Sequence, residues 1–429
     1  MLPISRKDEY LYPVPKFDLK KGDIKDFMNE LRGFHEQFAE CFQRSESRGH
    51  FFKYMVGQFS ELERKSIEPI ALAVKDGNVR AMQRFISDAP LDDDKILSKY
   101  RSLINDDLGS PDGALIFDES GFVKKGDESI GVARQYCGTI GKVDNCQVGV
   151  FAAYVSEQGY ALVDKRLFVP EQWFSGEYSV RREKCKLPES ATFRTKPELA
   201  ADMLKAIRSE NVLPFKYVLG DSIYGISPEF IEAVEASPGT TYFVSVPKSI
   251  QCWLKRPMTI SKQYRWGGKI RTKTVLADTD SQPMSVEELA KNINDYFWYR
   301  RQVSEGTKGP IVYEFTRRRI ILSAAGLPQK TVWLLIRRTI EDNPQYAYFI
   351  SNAPASTRLN TLVWLSGLRW AIEQCFEETK TDLGMDHYEV RKFTGWHHHI
   401  LTCMLAHFFL WHLKIRLGKK STVYYAVAA

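Results

Sequence analysis

Near residue 113 the periodicity of this chain changes, and that change limits the architectures open to it more than any other feature. Before it, apolar residues recur at helical spacing in DIKDFMNELRGFHEQFAECF and NVRAMQRFISDAP, with polar breaks between, so residues 24–105 read as a separate helical domain. After it come ALIFDESGF, GVARQYCGTI, QVGVFAAYVS and YALVDKRLFV, short runs rich in Val, Phe, Tyr and Ile with turn residues between them. These read as three to four consecutive strands. A helix over 196–210, a strand KYVLGD, a helix SPEFIEAVEAS and a strand TYFVSVP follow. Strands first, then alternating helix and strand, points to an α/β fold.

Residues 250–350 depart from that alternation. KIRTKTVLA, GPIVYEFTRRRIILSAA and KTVWLLIRRTI are strand-like, so this stretch reads as an inserted, largely β segment. It is also basic. Between Arg300 and Arg338 stand nine Lys or Arg (300, 301, 308, 317, 318, 319, 330, 337, 338) against two acids, Glu305 and Glu314. That excess equals the net charge of the whole 429-residue chain, +7, which is mild but favours a polyanionic partner. Beyond NAPAS at 352–356, helical patterns run through LNTLVWLSGLRWAIEQCFEETKTDLG and WHHHILTCMLAHFFLWHLKIR. No internal repeat is visible, and the length calls for two or three domains.

Seven cysteines at 41, 137, 146, 185, 252, 375 and 403 include no close pair, which argues for reduced thiols rather than a disulfide framework or zinc ribbon. The first twenty residues have no apolar core of signal-peptide type, and the apolar stretch 400–411 is too short to span a bilayer. A cytoplasmic protein without a membrane partner is the expectation.

Three acids stand where chemistry is expected. At 100° per residue, Arg369, Glu373 and Lys380 sit at about 0°, 40° and 20° on one helix, beside the apolar Ile372, Phe376 and Leu383. A polar stripe at the edge of a buried face results, although an ion pair on a surface helix gives the same pattern. Asp118 closes the run LIFD and Asp221 closes YVLGD, so each is expected at a strand's end, where α/β proteins place ligands and where a lone Asp also caps turns. Glu119 is the weaker neighbour, because adjacent strand side chains point to opposite faces. An Asp–Asp–Glu set supplies the hard oxygen ligands that two Mg²⁺ ions need around a substrate phosphate.

Those blocks also resemble a known family. RWAIEQCFEETK, with Arg369, Glu373 and Lys380, resembles the tyrosine–arginine–glutamate–lysine signature of insertion-sequence transposases of the DDE superfamily. LGMDHYEVRKFTGWHHHI resembles the segment that follows it, LIFDESGFVKKG the first-Asp block and YVLGDSIYG the second. The resemblance spans most of 113–412. It departs at one point, where Ser366 stands in place of the signature tyrosine.

The resemblance implies an RNase H-like catalytic core over 106–249 and 351–429, interrupted by the basic insertion 250–350 and preceded by a DNA-binding helical domain, 1–105. It implies Asp118, Asp221 and Glu373 as catalytic ligands of two Mg²⁺ ions, for which Mn²⁺ substitutes. The 103 positions from Asp118 to Asp221 and 152 from Asp221 to Glu373 leave room for the insertion. Arg369 and Lys380 are implied phosphate contacts, Arg317, Arg318 and Arg319 the centre of the basic patch, and Trp298, with Trp253 and Trp266, a ring to stack on a flipped base.

The expected function is that of an insertion-sequence transposase. It would bind terminal inverted repeats and cut and rejoin double-stranded DNA at transposon end and target, as a homodimer in the DNA complex and a nucleoid-associated cytoplasmic protein. Its rivals are a domesticated, non-cleaving DNA-binding protein and a carboxylate-pair hydrolase. Three consecutive histidines, 397–399, point 100° apart and cannot share one ion, so a polar helix start is their expected role. Ser120, Lys124 and Lys125 read as a solvated turn near the first acid.

Overall fold

A computed structural model describes residues 27–427 apart from 268, 279, 307 and 308. The N-terminal segment read above for a signal peptide, the start of the 1–105 domain and Lys308 of the basic patch lie outside the described residues. In chain order the helices Phe27–Glu36 (α1), Ser45–Gln58 (α2), Ile67–Ala73 (α3), Val79–Asp88 (α4) and Asp93–Leu108 (α5) come first. Strands Ala114–Val123 (β1), Ala133–Cys137 (β2), Lys142–Ser156 (β3) and Gly159–Phe168 (β4) follow, then helices Ser179–Lys184 (α6) and Lys196–Glu210 (α7). Next are Tyr217–Gly220 (β5), Ser222–Gly225 (α8), Pro228–Glu235 (α9), Thr241–Val246 (β6), Gln251–Trp253 (β7), Thr259–Trp266 (β8), Lys269–Leu276 (β9), Met284–Ser285 (β10) and Val286–Lys291 (α10). Tyr299–Gly306 (β11), Gly309–Ala324 (β12), Leu327–Arg338 (β13), Tyr346–Ser351 (β14), Leu359–Leu368 (α11), Trp370–Leu383 (α12) and Phe393–Val427 (α13) complete the chain. The class is mixed α/β, as expected.

The described chain divides into two compact units, Tyr217–Arg369 and residues 27–216 with 370–427. In the second, β1 pairs antiparallel with β3 from Ala114↔Val155 to Val123↔Cys146, while β3 also pairs antiparallel with β2 through Lys142–Cys146 and with β4 through Val148–Ser156. The helices α1–α5 share a core with this sheet and with α13. Tyr100 of α5 donates its hydroxyl to the carbonyls of Leu162 in β4 and Met404 in α13, at 2.7 and 3.2 Å. Buried Arg101 binds Asp164 at 2.7 Å, a fully desolvated pair that needs both partners.

In the unit Tyr217–Arg369, β5 runs parallel to β6, and β14 pairs antiparallel with β6. β13 pairs with β14 and β12 with β13, while β7 and β11 pair with β12. The strands of 250–350 therefore extend the sheet that holds β5 and β6. Among the described residues of this unit, only β8 and β9 stand apart, as a two-stranded ribbon.

Two local expectations change. Asp118 is not at a strand's end but fifth of ten residues in β1, because pairing with β3 continues unbroken past it. The pattern from Leu359 to Leu383 is not one helix: α11 ends at Leu368, and Arg369 caps it with φ −58° and ψ −26° before α12 begins.

Candidate active site

Directly opposed residues of an antiparallel pair share a face. Asp118 opposes Phe151, whose ring lies 5.2 Å from that of Phe376 in α12 and 6.3 Å from that of Trp396 in α13. Asp118 therefore stands on the face that α12 and α13 cover. Phe122, four residues along and on that same face, lies 5.3 Å beneath the Lys380 ammonium. Lys380 also donates to the Gly121 carbonyl at 3.2 Å and to Thr139 Oγ1 at 2.9 Å. Burial lowers the Lys380 pKa from its ordinary value. Held at these points, α12 carries Glu373 about one turn before Phe376, exposed, while Ile372, Phe376 and Leu383 are buried as the stripe required.

The tight packing has a sequence cause. At Gly149 in β3 a Cβ would come within 2.6 Å of the Phe151 ring and 2.8 Å of Trp396, so only glycine admits both rings. Burial alone would raise the Glu378 pKa, but His407 Nε2 at 2.7 Å and Tyr160 at 2.8 Å outweigh it, keep that carboxylate below its ordinary value and fasten α12 to α13 and β4.

Half-buried Asp118 turns Oδ1 back to accept from the Glu119 amide at 2.8 Å. Glu119 pairs with Lys196, the first residue of α7, at 3.0 Å. Strand alternation alone would separate Asp118 from Glu119, yet oxygens of the two carboxylates approach within 4.8 Å, because the Asp118 side chain bends along its own strand. Lys196 was not singled out from the sequence; it lies 77 residues from Glu119, and no spacing rule links them.

Asp221 lies in the unit Tyr217–Arg369. It follows β5 at once, as expected of a strand-end acid, and its Oδ1 accepts from the Ile223 amide at 2.9 Å, capping α8. Arg369 closes the same unit. Ser366 donates its hydroxyl to the Val363 carbonyl at 2.6 Å, within its own helix.

The basic patch is largely engaged by protein. Arg300 and Arg338 both reach Glu314, and Arg338 also reaches Asp295. The Arg317 guanidinium lies 4.4 Å and that of Arg319 5.2 Å over the Trp333 ring, while Arg318, on the opposite face of β12, lies 4.8 Å over Phe297. Trp298 is buried, with Arg338 4.1 Å over its ring. Trp253 is buried too and donates to the Ser281 carbonyl, whereas Trp266 is 68% exposed.

The histidine triplet is not a polar helix start. His398 meets the Ile86 carbonyl at 2.9 Å, His399 the Tyr54 hydroxyl at 2.8 Å and His397 the Lys165 ammonium at 2.9 Å. Burial lowers the pKa of all three and pushes His399 down to about 3. Ser120 is buried, and Lys124 donates to the Tyr388 carbonyl at 3.0 Å, with burial lowering it to about 8; only Lys125 is solvated. All seven cysteines are free and buried. The donors that fit a cation at this site are carboxylate oxygens, which suit a hard divalent ion rather than zinc or copper. No helix among the described residues is long and apolar enough to cross a membrane.

Residues 37–310 match the family described as DDE superfamily endonuclease, a span that includes Asp118 and Asp221 and ends before Glu373. A probable transposase for insertion sequence element IS701 from Microchaete diplosiphon is 25% identical over 340 residues, 79% of this chain and 76% of that one. Among solved structures, the piggyBac transposase synaptic complex with hairpin DNA aligns with 90% of this chain and 72% of its own, at 8% identity and a TM-score of 0.40, too low to carry an argument. Matched over well over half its length and with a transposase relative, the chain belongs to the DDE superfamily of endonucleases, as a transposase of the insertion-sequence type.

Proposed function

We propose that this transposase binds the terminal inverted repeats of its element and moves it by cutting and rejoining DNA, with Asp118, Asp221 and Glu373 as the metal-holding acids of an RNase H-like core. The observation that supports this reading is that α12, the helix of Glu373, packs through Phe376 on the sheet face on which Asp118 stands. The family uses divalent metal; we take the ions to be two Mg²⁺, with Mn²⁺ able to replace them. When bound, they supply a polarised water or 3′-hydroxyl nucleophile and stabilise the leaving oxygen.

The chain's own groups supply position. Lys380, Phe376 and the Glu378–His407 pair fix α12, and the Glu119–Lys196 pair fixes the strand beside Asp118. Arg369 and Lys380 are proposed phosphate contacts, with Arg317, Arg318, Arg319 and Trp298 supporting the basic sheet that holds the DNA end. The helices of 1–105 read the repeat, and two copies act in the DNA complex.

A nicking assay on duplexes carrying the element's ends tests the reading. Nicks at the ends in Mg²⁺ or Mn²⁺, absent with chelator, are expected. End binding without nicking in either metal would instead support the domesticated DNA-binding protein.

A further inference from the structure

The ribbon β8–β9 has a composition that the rest of its unit lacks. Across 259–276 it holds Lys262, Arg265, Lys269, Arg271 and Lys273 and no acid. Every residue from Thr259 to Gly267 and from Lys269 to Thr274 is exposed, and its pairing is only with itself. The register sorts the side chains. Lys262↔Lys273, Tyr264↔Arg271 and Trp266↔Lys269 are opposed pairs on one face, while Ser261↔Thr274, Gln263↔Thr272 and Arg265↔Ile270 occupy the other. Four of the five cations and both aromatic rings therefore share a face, and Tyr264, Trp266, Arg271 and Lys273 line an open hollow of about 480 Å³ there.

This face is poor for a ribbon standing in water. Like charges directly opposite, as at Lys262 and Lys273, destabilise a strand pair. None of the five cations has an ion-pair or hydrogen-bond partner among the described residues. A 68% exposed Trp266 beside them gains nothing from folding. A polyanion with flat apolar edges relieves all three, and the major groove of duplex DNA admits a two-stranded ribbon.

We propose that β8–β9 is a duplex-DNA contact element, with Lys262, Lys269, Arg271 and Lys273 against phosphates and Tyr264 and Trp266 against sugar and base edges. The proposal rests on the reading of the chain as a DNA transposase and assigns it a binding surface apart from the acidic residues.

The test uses full-length protein and a random-sequence duplex oligonucleotide, with affinity measured against salt concentration. Replacing Lys262, Lys269, Arg271 and Lys273 together by Gln should reduce the slope of log affinity against log salt by roughly 3 to 4, at about 0.9 per phosphate contact. Arg265→Gln, on the other face, should leave it unchanged. The double variant Lys262→Gln with Lys273→Gln removes a repulsion, so it folds if the quadruple does not, and should reduce the slope by roughly 2. An unchanged slope in either multiple variant, an equal loss in Arg265→Gln, or a loss seen only with single-stranded DNA would overturn the proposal. Absence of DNA binding by the unaltered chain would overturn the function reading itself, so the two failures are distinguishable.

Discussion

Beneath α12 and α13, Phe151, Phe376 and Trp396 close over the face on which Asp118 stands, and Lys380 gives its hydrogen bonds to Gly121 and Thr139. On the ribbon β8–β9, four cations and Trp266 face water from one side of two strands that pair only with each other. The first region spends its polar groups on holding side chains in place, which catalysis requires to within fractions of an ångström. The second keeps them for a partner. A third region explains why charge count alone misleads: the patch 300–338 is the most basic by sequence, yet Arg300, Arg317, Arg319 and Arg338 are occupied by Glu314, Trp333 and Asp295.

The same substitution should therefore differ sharply in its effect on stability between the two regions. Trp396→Ala, at a fully buried ring, should cost about 3–5 kcal/mol in denaturant unfolding. A loss below about 1 kcal/mol would mean that α13 is not packed on β3 as described.

A second, smaller effect marks where the ribbon's exposed strands give way to buried sheet. Cys252 of β7 is fully buried, and burial pushes its thiol from 9.0 up to about 11. Because the folded chain holds this proton after the unfolded chain has released it, the associated stability is full below pH 9 and is lost as pH rises through about 11. Cys252→Ala should remove up to about 1.4 kcal/mol per pH unit from the decline of stability in that window. Parallel stability profiles of the two proteins would place Cys252 in contact with solvent.

Smallest of the three, Trp266→Ala should change stability by no more than about 0.5 kcal/mol, since its ring packs on little. A loss comparable to that of Trp396→Ala would mean the ribbon folds back against the protein and is not a free surface.

What could be read from residues alone follows the range of the forces involved. The α7 bounds Lys196–Glu210 were legible because Thr195 and Glu198 form a local capping box and Pro197 stands in the first turn. Strands β1 to β4, β6 and β13 were legible from β-branched and aromatic runs. The extent of β1 beyond Asp118 was not, because it is set by pairing with β3, which no local pattern reports. The break at Arg369 was hidden for a similar reason: its backbone stays in the right-handed helical region, and the nearest irregularity is Gly367, whose added Cβ would meet Val303 at 2.8 Å. Strand β8 was missed because TISKQYRW, exposed along its whole length, has no buried face to imprint an apolar alternation. The three acids were proposed from their flanking blocks; the approach of the Asp118 and Glu119 carboxylates to within 4.8 Å is a side-chain event with no sequence signal.

The central claim is that Asp118, Asp221 and Glu373 serve cleavage rather than affinity. Strand cleavage in Mg²⁺ should be measured for Asp118→Ala, Asp221→Ala and Glu373→Ala at DNA concentrations that saturate binding, with end affinity measured beside it. The account predicts loss of nicking in all three with affinity for the DNA end retained, because removing one ligand disables a two-metal site while Lys and Arg contacts set most of the binding energy. Near-unaltered nicking by any one of the variants would contradict the assignment at that position.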